Sequence, residues 1–414
     1  MHFNLDWFAK ALGFVILHEF LFLRRNGIGG FRLGIEISFV IMYNMLCIKV
    51  IFRRPALKQK RILWLDYARC FAIICVVLIH GVERIYVYDA QQTAMLSAGS
   101  LLFRNIAFVA GRLGVPVFLA ITGYLLLDRD YSSADKIFRF YKHNLLPIII
   151  TTEIWNLIYD AVIFIGNGKF DFDMLIRDLL FLKTNQMGNM WYMPMIIGVY
   201  VALPFVANAI RNIETKALAV PFVLLGVSVF AFCFYSQLKS VFGWSFQASA
   251  VLDISFLGGT YGFYILFGVL CKRGSFKKVP SCVLWLLVAA ASAAAIWFFT
   301  FSIRMGKPIR MWYDFIGVML ASCSVFELFS RMNESSAFAK KLAPLATGIS
   351  VSSFGTFFVH KVVIYYLGNV ADKVIASDPI KTSVFCVLVF VISAAVSYLF
   401  YKIPKFNRLI MAAK

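Results

Sequence analysis

The chain has 414 residues, 61% of them hydrophobic and 15% charged, with a formal net charge of +20. Soluble domains run at about 45–50% apolar and about 25% charged, so this composition excludes a soluble enzyme and a disordered chain. The basic residues form no stripe beside aromatic platforms but sit in short clusters between apolar runs, which excludes a nucleic-acid binder and fits a multi-pass membrane protein.

Residues 1–58 read as an N-terminal extension. Segments 7–23 and 33–52 are each apolar enough to span or to lie in the interface, and RRNGIGGFR between them carries three arginines. No cleavable signal peptide is expected, because Asp6, Lys10, His18 and Glu19 interrupt the first run and no small-residue cleavage site follows.

Residues 59–414 read as one membrane domain. A spanning helix needs roughly 20 apolar residues. Runs of that kind fall at 63–85, 106–127, 144–165, 190–208 and 217–236, then at 252–271, 281–301, 311–330, 346–370 and 382–401. Residues 171–183 (DFDMLIRDLLFLK) alternate apolar and charged positions at helical spacing and read as an interfacial helix. The expected fold is all-α, a polytopic helical bundle of ten core helices plus the extension. With 53–61 placed in the cytoplasm, the loops on that side hold 22 Lys and Arg and the opposite loops, Arg104 among them, hold 11. That bias orients the bundle with both ends of the core inside the cell.

Ionisable groups within a span are costly and mark function. The first core run, WLDYARCFAIICVVLIHGVER, carries Arg69 and His80 eleven residues apart. Eleven residues make three turns plus about 20°, so both leave the same helix face about 16 Å apart along the axis. Asp66 precedes Arg69 by three residues and can pair with it, and Glu83 follows His80 by three. In the second run Arg112 lies two residues before a Gly-Val-Pro break that bends the helix. Glu153 and Asp160, seven apart, share a face of the third run. Trp191 and Tyr192 open the fourth, and His360 lies in the ninth.

A histidine can take the proton of a hydroxyl or carry an acyl group, and an arginine can hold phosphates or an oxyanion. A basic site near the cytoplasm with a histidine deeper in the membrane suits a long anionic donor with a reactive far end, such as acyl-coenzyme A. The same groups also suit a proton relay in a transporter of lipid-linked sugar or of a small anion. The eight cysteines show no ligand spacing and read as buried small hydrophobes. No metal site, nucleophile elbow, P-loop or dinucleotide fingerprint is present in the sequence.

Five segments in order resemble the acyltransferase-3 family of integral membrane acyltransferases, which includes the O-acetyltransferase of enterobacterial common antigen. They are LDYARCFAIICVVLIH, RLGVPVFLAITGYLL, MWYMPMIIGVYVALP, FYILFGVL and SFGTFFVH, and the resemblance covers about residues 61–410. It implies an inner-membrane O-acyltransferase that moves acetyl, or another acyl group such as succinyl, from cytoplasmic acyl-CoA. The implied acceptor is a sugar hydroxyl of a cell-surface polysaccharide or its lipid-linked precursor. Acetyl-CoA would be a substrate, with no permanently bound cofactor. The resemblance makes Arg69, His80 and Arg112 the catalytic set, with Asp66, Glu83, Tyr124, Trp191, Tyr192 and His360 as substrate-binding positions. The chain departs from the family pattern at Asn189, where members often have histidine, at Thr122 for serine, at Phe357 for tyrosine and at Cys70 for glycine. The soluble esterase-like domain attached in some members is absent from this sequence.

Overall fold

The computed structural model describes residues 61–412, except 87, 89, 169–170, 186, 246–257 and 376–377. The N-terminal extension, with both of its apolar segments, lies outside the described residues. Helix α1 (Leu63–Ile85) is followed by a short α2 (Ala90–Met95), then by α3 (Ala98–Arg112) and α4 (Gly114–Leu126), which together make the second span. Helix α5 (Ala134–Phe140) continues through a π turn (Tyr141–Leu145) into α6 (Leu146–Asn167). A short α7 (Phe172–Leu179) precedes α8 (Tyr192–Arg211). Helices α9 (Thr215–Leu225) and α10 (Phe232–Phe242) are joined by a second π turn. The chain continues through α11 (Gly259–Lys272), α12 (Ser281–Arg304), α13 (Ile316–Ser330), α14 (Ala337–Val374), α15 (Pro379–Lys402) and α16 (Pro404–Ile410).

Eight of these spans are long and apolar enough to cross a membrane. Helices α11 and α13, at 14 and 15 residues, fall on the two remaining predicted runs. Described residues contain no strand, as lipid requires of an unclosed chain whose backbone groups must pair within each segment.

Four boundaries differ from the sequence reading. The second span starts at Ala98 because Ser97 caps it, its hydroxyl accepting from the Ser100 N–H. Arg104 is therefore not a loop residue: it is fully buried inside α3 and donates to Thr93 Oγ1 at 2.9 Å. The third span begins at Ala134, capped by Ser133, so His143 sits in a π turn inside the helix. The interfacial helix is capped by Asp171 and stops at Leu179, shortly before Phe181 takes a positive φ of 55°. The eighth span begins at Ile316, and 307–312, just after positive-φ Gly306, is irregular.

Helix α1 is central. It packs against α3, α4, α13, α14 and α15. Its span is 67% buried and that of Ala98–Leu126 is 78% buried, against 17% for Thr215–Phe242, which separates an inner pair from a peripheral span. Helices α1 and α14 run parallel: Tyr67 meets Ala339 and Cys70 meets Ala346 at one end, and His80 meets His360 further along. Parallel packing is what two odd-numbered members of an alternating series of spans require, and Leu63–Ile85 and Ala337–Ala371 are the first and seventh of the eight described long spans.

Helices α4 and α11 approach closely at two glycines. A Cβ on Gly123 would lie 1.9 Å from the Ile265 carbonyl oxygen, and one on Gly268 would lie 2.0 Å from that of Ala120. Apolar side chains gain little from leaving lipid, so such close backbone contact carries the association. Gly268→Ala is expected to cost about 1–3 kcal/mol, read as a lower Tm of the purified protein in detergent. An unchanged Tm would remove this contact from the packing account.

Candidate functional site

The site is built along α1 where it faces α14. Near its start, Asp66 is almost fully buried. Its carboxylate accepts from Arg61 Nε (3.1 Å) and Nη2 (2.9 Å), from Arg69 Nη1 (3.3 Å), and from the hydroxyls of Ser350 (2.7 Å) and Thr347 (3.3 Å). Five donors use the acceptor capacity of a carboxylate. Asp66 therefore pins α14 to α1 and aims Arg69. The Arg69 side chain keeps 27% of its surface open, and only Nη1 is committed, leaving donors for an anion.

Eleven residues further along the same face, His80 meets His360. His80 Nδ1 and His360 Nε2 are 2.9 Å apart, with the rings 5.0 Å between centroids and inclined by 29°. His360 is fully buried, and its Nδ1 lies 3.1 Å from the Thr356 carbonyl oxygen. His80 is only half-buried. Phe357 lies 6.1 Å from the His360 ring, and Tyr192 lies 5.5 Å from Phe357.

One turn beyond His80, Glu83 faces Arg112 rather than the histidine, with Arg112 Nη2 donating to Glu83 Oε1 at 2.7 Å. Arg112 ends α3. Pro116 has no N–H to offer the Arg112 carbonyl, and the helix breaks at Leu113. The guanidinium then lies 4.3 Å from the Trp312 ring, 4.6 Å from Phe108 and 5.7 Å from Tyr313, a cation–π cage.

The irregular segment before α13 supplies two of those rings. It is pinned by Gln237 donating to the Arg310 carbonyl at 2.9 Å and by Tyr264 donating to the Tyr313 carbonyl at 2.7 Å. Trp191 closes the group, 5.5 Å from Trp312, 5.6 Å from Tyr313 and 6.3 Å from Tyr261. Trp191, Trp312 and Tyr261 are all half-buried.

His80, His360, Glu83, Arg112, Trp191 and Tyr192 thus form one connected site, with Arg69 and Asp66 about 16 Å away along α1. Tyr124 packs 4.9 Å from Trp64, which lies two residues before Asp66 on α1, and 6.3 Å from Phe326. Glu153 and Asp160 lie instead beside Asp178, where Asn185 donates to Asp160 (3.0 Å) and to Asp178 (2.8 Å). Asn189 is fully buried and donates to Tyr159 Oη (3.0 Å) and to the Phe357 carbonyl (3.2 Å), a packing role. Trp312 and Tyr313 escaped the sequence reading because they sat inside an apolar run. The preceding Gly-Lys-Pro was the signal that the run was interrupted. Among the described residues no group of His, Cys, Asp and Glu could hold a metal ion.

The arrangement offers a partly open histidine for proton transfer, a neutralised arginine beside it, and a second arginine on the same helix face with donors to spare. The acyltransferase-3 family, described as an acyltransferase domain, matches residues 62–402. An amino-acid racemase of Enterococcus faecalis is 27% identical over 182 residues, which is 43% of this chain and 23% of that protein. The chain thus spans less than a quarter of that relative's length, and the likeness carries no argument about activity. No solved structure matches the chain. With the match covering nearly the whole helical core described above, the chain belongs to the acyltransferase-3 family and is built as a multi-pass helical membrane protein.

Proposed function

We propose that the protein transfers an acyl group, acetyl above all, from cytoplasmic acyl-CoA to a sugar hydroxyl of a cell-surface polysaccharide or its lipid-linked precursor, in the inner membrane. The observation that carries this reading is the placement of Arg69 and His80 on one face of the most central helix. Arg69, aimed by Asp66 and open to an anion, receives the phosphates of the donor. His80 takes the proton of the acceptor hydroxyl while its oxygen attacks the thioester carbonyl carbon. The carbon–sulfur bond then breaks, and the leaving thiolate recovers the proton. Arg112 faces the charge that develops on the acyl oxygen. The half-buried rings of Trp191, Trp312 and Tyr261 offer the flat apolar surface that suits the C–H face of a pyranose, while the exposed edge stays polar through Arg310, 5.2 Å over Trp312.

The test is transfer by the purified protein in lipid vesicles, with acetyl-CoA or succinyl-CoA outside and a lipid-linked glycan in the bilayer. Mass spectrometry of the glycan is expected to show one added acetyl group, and Arg69→Ala is expected to weaken acetyl-CoA binding at least about tenfold, the loss of roughly one charge-assisted hydrogen bond. Movement of the glycan across the bilayer with acetyl-CoA unconsumed would replace this reading with a transporter. Unchanged acetyl-CoA affinity in Arg69→Ala would remove the donor role of Arg69.

A further inference from the structure

We propose that His360 is the positioning residue of His80: its hydrogen bond holds His80 in the form with the proton on Nδ1, so that Nε2 is the nitrogen that works as the base. The inference rests on the acyl-transfer reading for its chemistry and on the His80–His360 geometry for its structure.

The hydrogen-bond directions follow from one fixed point. The Thr356 carbonyl can only accept, so His360 Nδ1, 3.1 Å away, carries a proton. The His360 ring is fully buried and has no carboxylate bonded to it. A neutral imidazole holds one proton, so its Nε2 is left as an acceptor. His80 Nδ1, 2.9 Å from that Nε2, must then be the donor. The Val76 carbonyl, one turn back on α1, also bonds the His80 ring and can only accept. It draws the proton to the backbone-side nitrogen as His360 does, and what remains is Nε2 on a ring that is half-buried rather than sealed. Nε2 is then the nitrogen left to meet a hydroxyl.

The backbone reinforces this assignment. Thr356 and His360 are one helical turn apart on α14, so the carbonyl that orients His360 belongs to the same rigid element. Contacts from Asp66–Ser350 and Cys70–Ala346 through His80–His360 hold α14 in register with α1. A shift of one residue would carry His360 about 100° around its helix and break the bond. The arrangement parallels the general logic in which a third group orients a catalytic base, with a neutral imidazole here in place of a carboxylate.

During transfer His80 Nε2 takes the hydroxyl proton as the new oxygen–carbon bond forms. The positive charge on His80 is then shared through the Nδ1 hydrogen bond with the His360 lone pair, while His360 Nδ1 keeps its proton on Thr356. When the carbon–sulfur bond breaks, His80 Nε2 returns its proton to the thiolate. Both rings end as they began.

The experiment uses the full-length protein in vesicles with nitrogen-15-labelled histidine, the His80 signals being assigned by their loss in His80→Asn. Solid-state NMR is expected to show the His80 proton on Nδ1, and to show a larger Nε2-protonated population in His360→Ala, where the Val76 carbonyl alone holds the ring. In the same variant turnover is expected to fall by about 10²-fold, the low end for a mispositioned general base, with KM for acetyl-CoA unchanged within about twofold. His360→Gln, whose side-chain oxygen can accept from His80 Nδ1, is expected to recover to within about tenfold of wild type, and His360→Asn, too short to reach, is not. A wild-type His80 protonated on Nε2 overturns the proposal, as does a His360→Gln no better than His360→Ala. The NMR readout needs no substrate, so it fails or holds separately from the identity of donor and acceptor, and it stands in the wild type even where His360→Ala does not fold.

Discussion

His80→Ala is expected to lower acyl transfer by roughly 10²–10⁴-fold, the range supplied by a positioned general base. Affinity for acyl-CoA should stay near wild type, because the donor's anionic end is held about 16 Å away at Arg69. Stability should change little: the ring is half-buried, and alanine leaves one unpaired acceptor, His360 Nε2, beside the gap. The measurement is kcat and KM for acyl-CoA on purified variant and parent, with Tm as the folding control. A variant that acylates at the parental rate would place the reacting centre elsewhere in the bundle. Parental Tm with transfer lost would separate chemistry from folding.

The second large effect is at Arg112. Its guanidinium is bonded to Glu83 at 2.7 Å and lies between Phe108 and Trp312, with only 7% of the side chain open. Arg112→Ala removes the charge, opens the aromatic cage and leaves Glu83 with Lys361 in place of its bonded arginine. Loss of a preorganised donor of this kind lowers turnover by about 10²–10³-fold. Arg112→Lys restores the charge but neither the planar contact with two rings nor the fork of donors, so it should recover activity only partly, to no better than about a tenth of parental turnover, the equivalent of one lost charged hydrogen bond. An interfacial anchoring role would leave kinetics parental in both variants and would refute this assignment. A Glu83→Gln partner variant tests the pair: coupled sites deviate from additivity by about 0.5–3 kcal/mol, and strict additivity would mean that the ion pair has no part in the site.

Much of this protein was legible in its residue order. A span announces itself by composition, since each must satisfy its own backbone groups and present apolar side chains to lipid. All ten predicted runs coincide with helices, although the described part of the sixth begins at Gly259. The Arg69–His80 relation was legible as well, because it depends only on the pitch of a helix. Boundaries fared less well. Ser97 and Ser133 start helices upstream of the apolar runs, so Arg104 moved from a loop into a helix and the third span begins ten residues before its predicted run. Caps are local hydrogen bonds that hydrophobicity does not register.

Pairing between helices is where sequence spacing ran out. Glu83 was placed beside His80 by its separation of three, yet it bonds Arg112, 29 residues away. Asp66 was expected to meet Arg69 and does, but Arg61, Thr347 and Ser350 share it, which makes it a clamp between α1 and α14. Tyr124 sits in a conspicuous segment, and its ring contact is with Trp64 on α1, a pairing that spacing does not reveal.

The residue order by itself therefore determined a helical membrane bundle, eight of whose described spans are long and apolar enough to cross, and a polar face on α1. Only the tertiary structure decided which partner each polar group takes: His360 for His80, Glu83 and the Trp312 ring for Arg112, a four-residue clamp for Asp66. The physical reason is range. Helix pitch and hydrophobicity are properties of neighbouring residues, whereas a hydrogen bond between side chains 280 positions apart depends on how two helices are registered by everything packed around them.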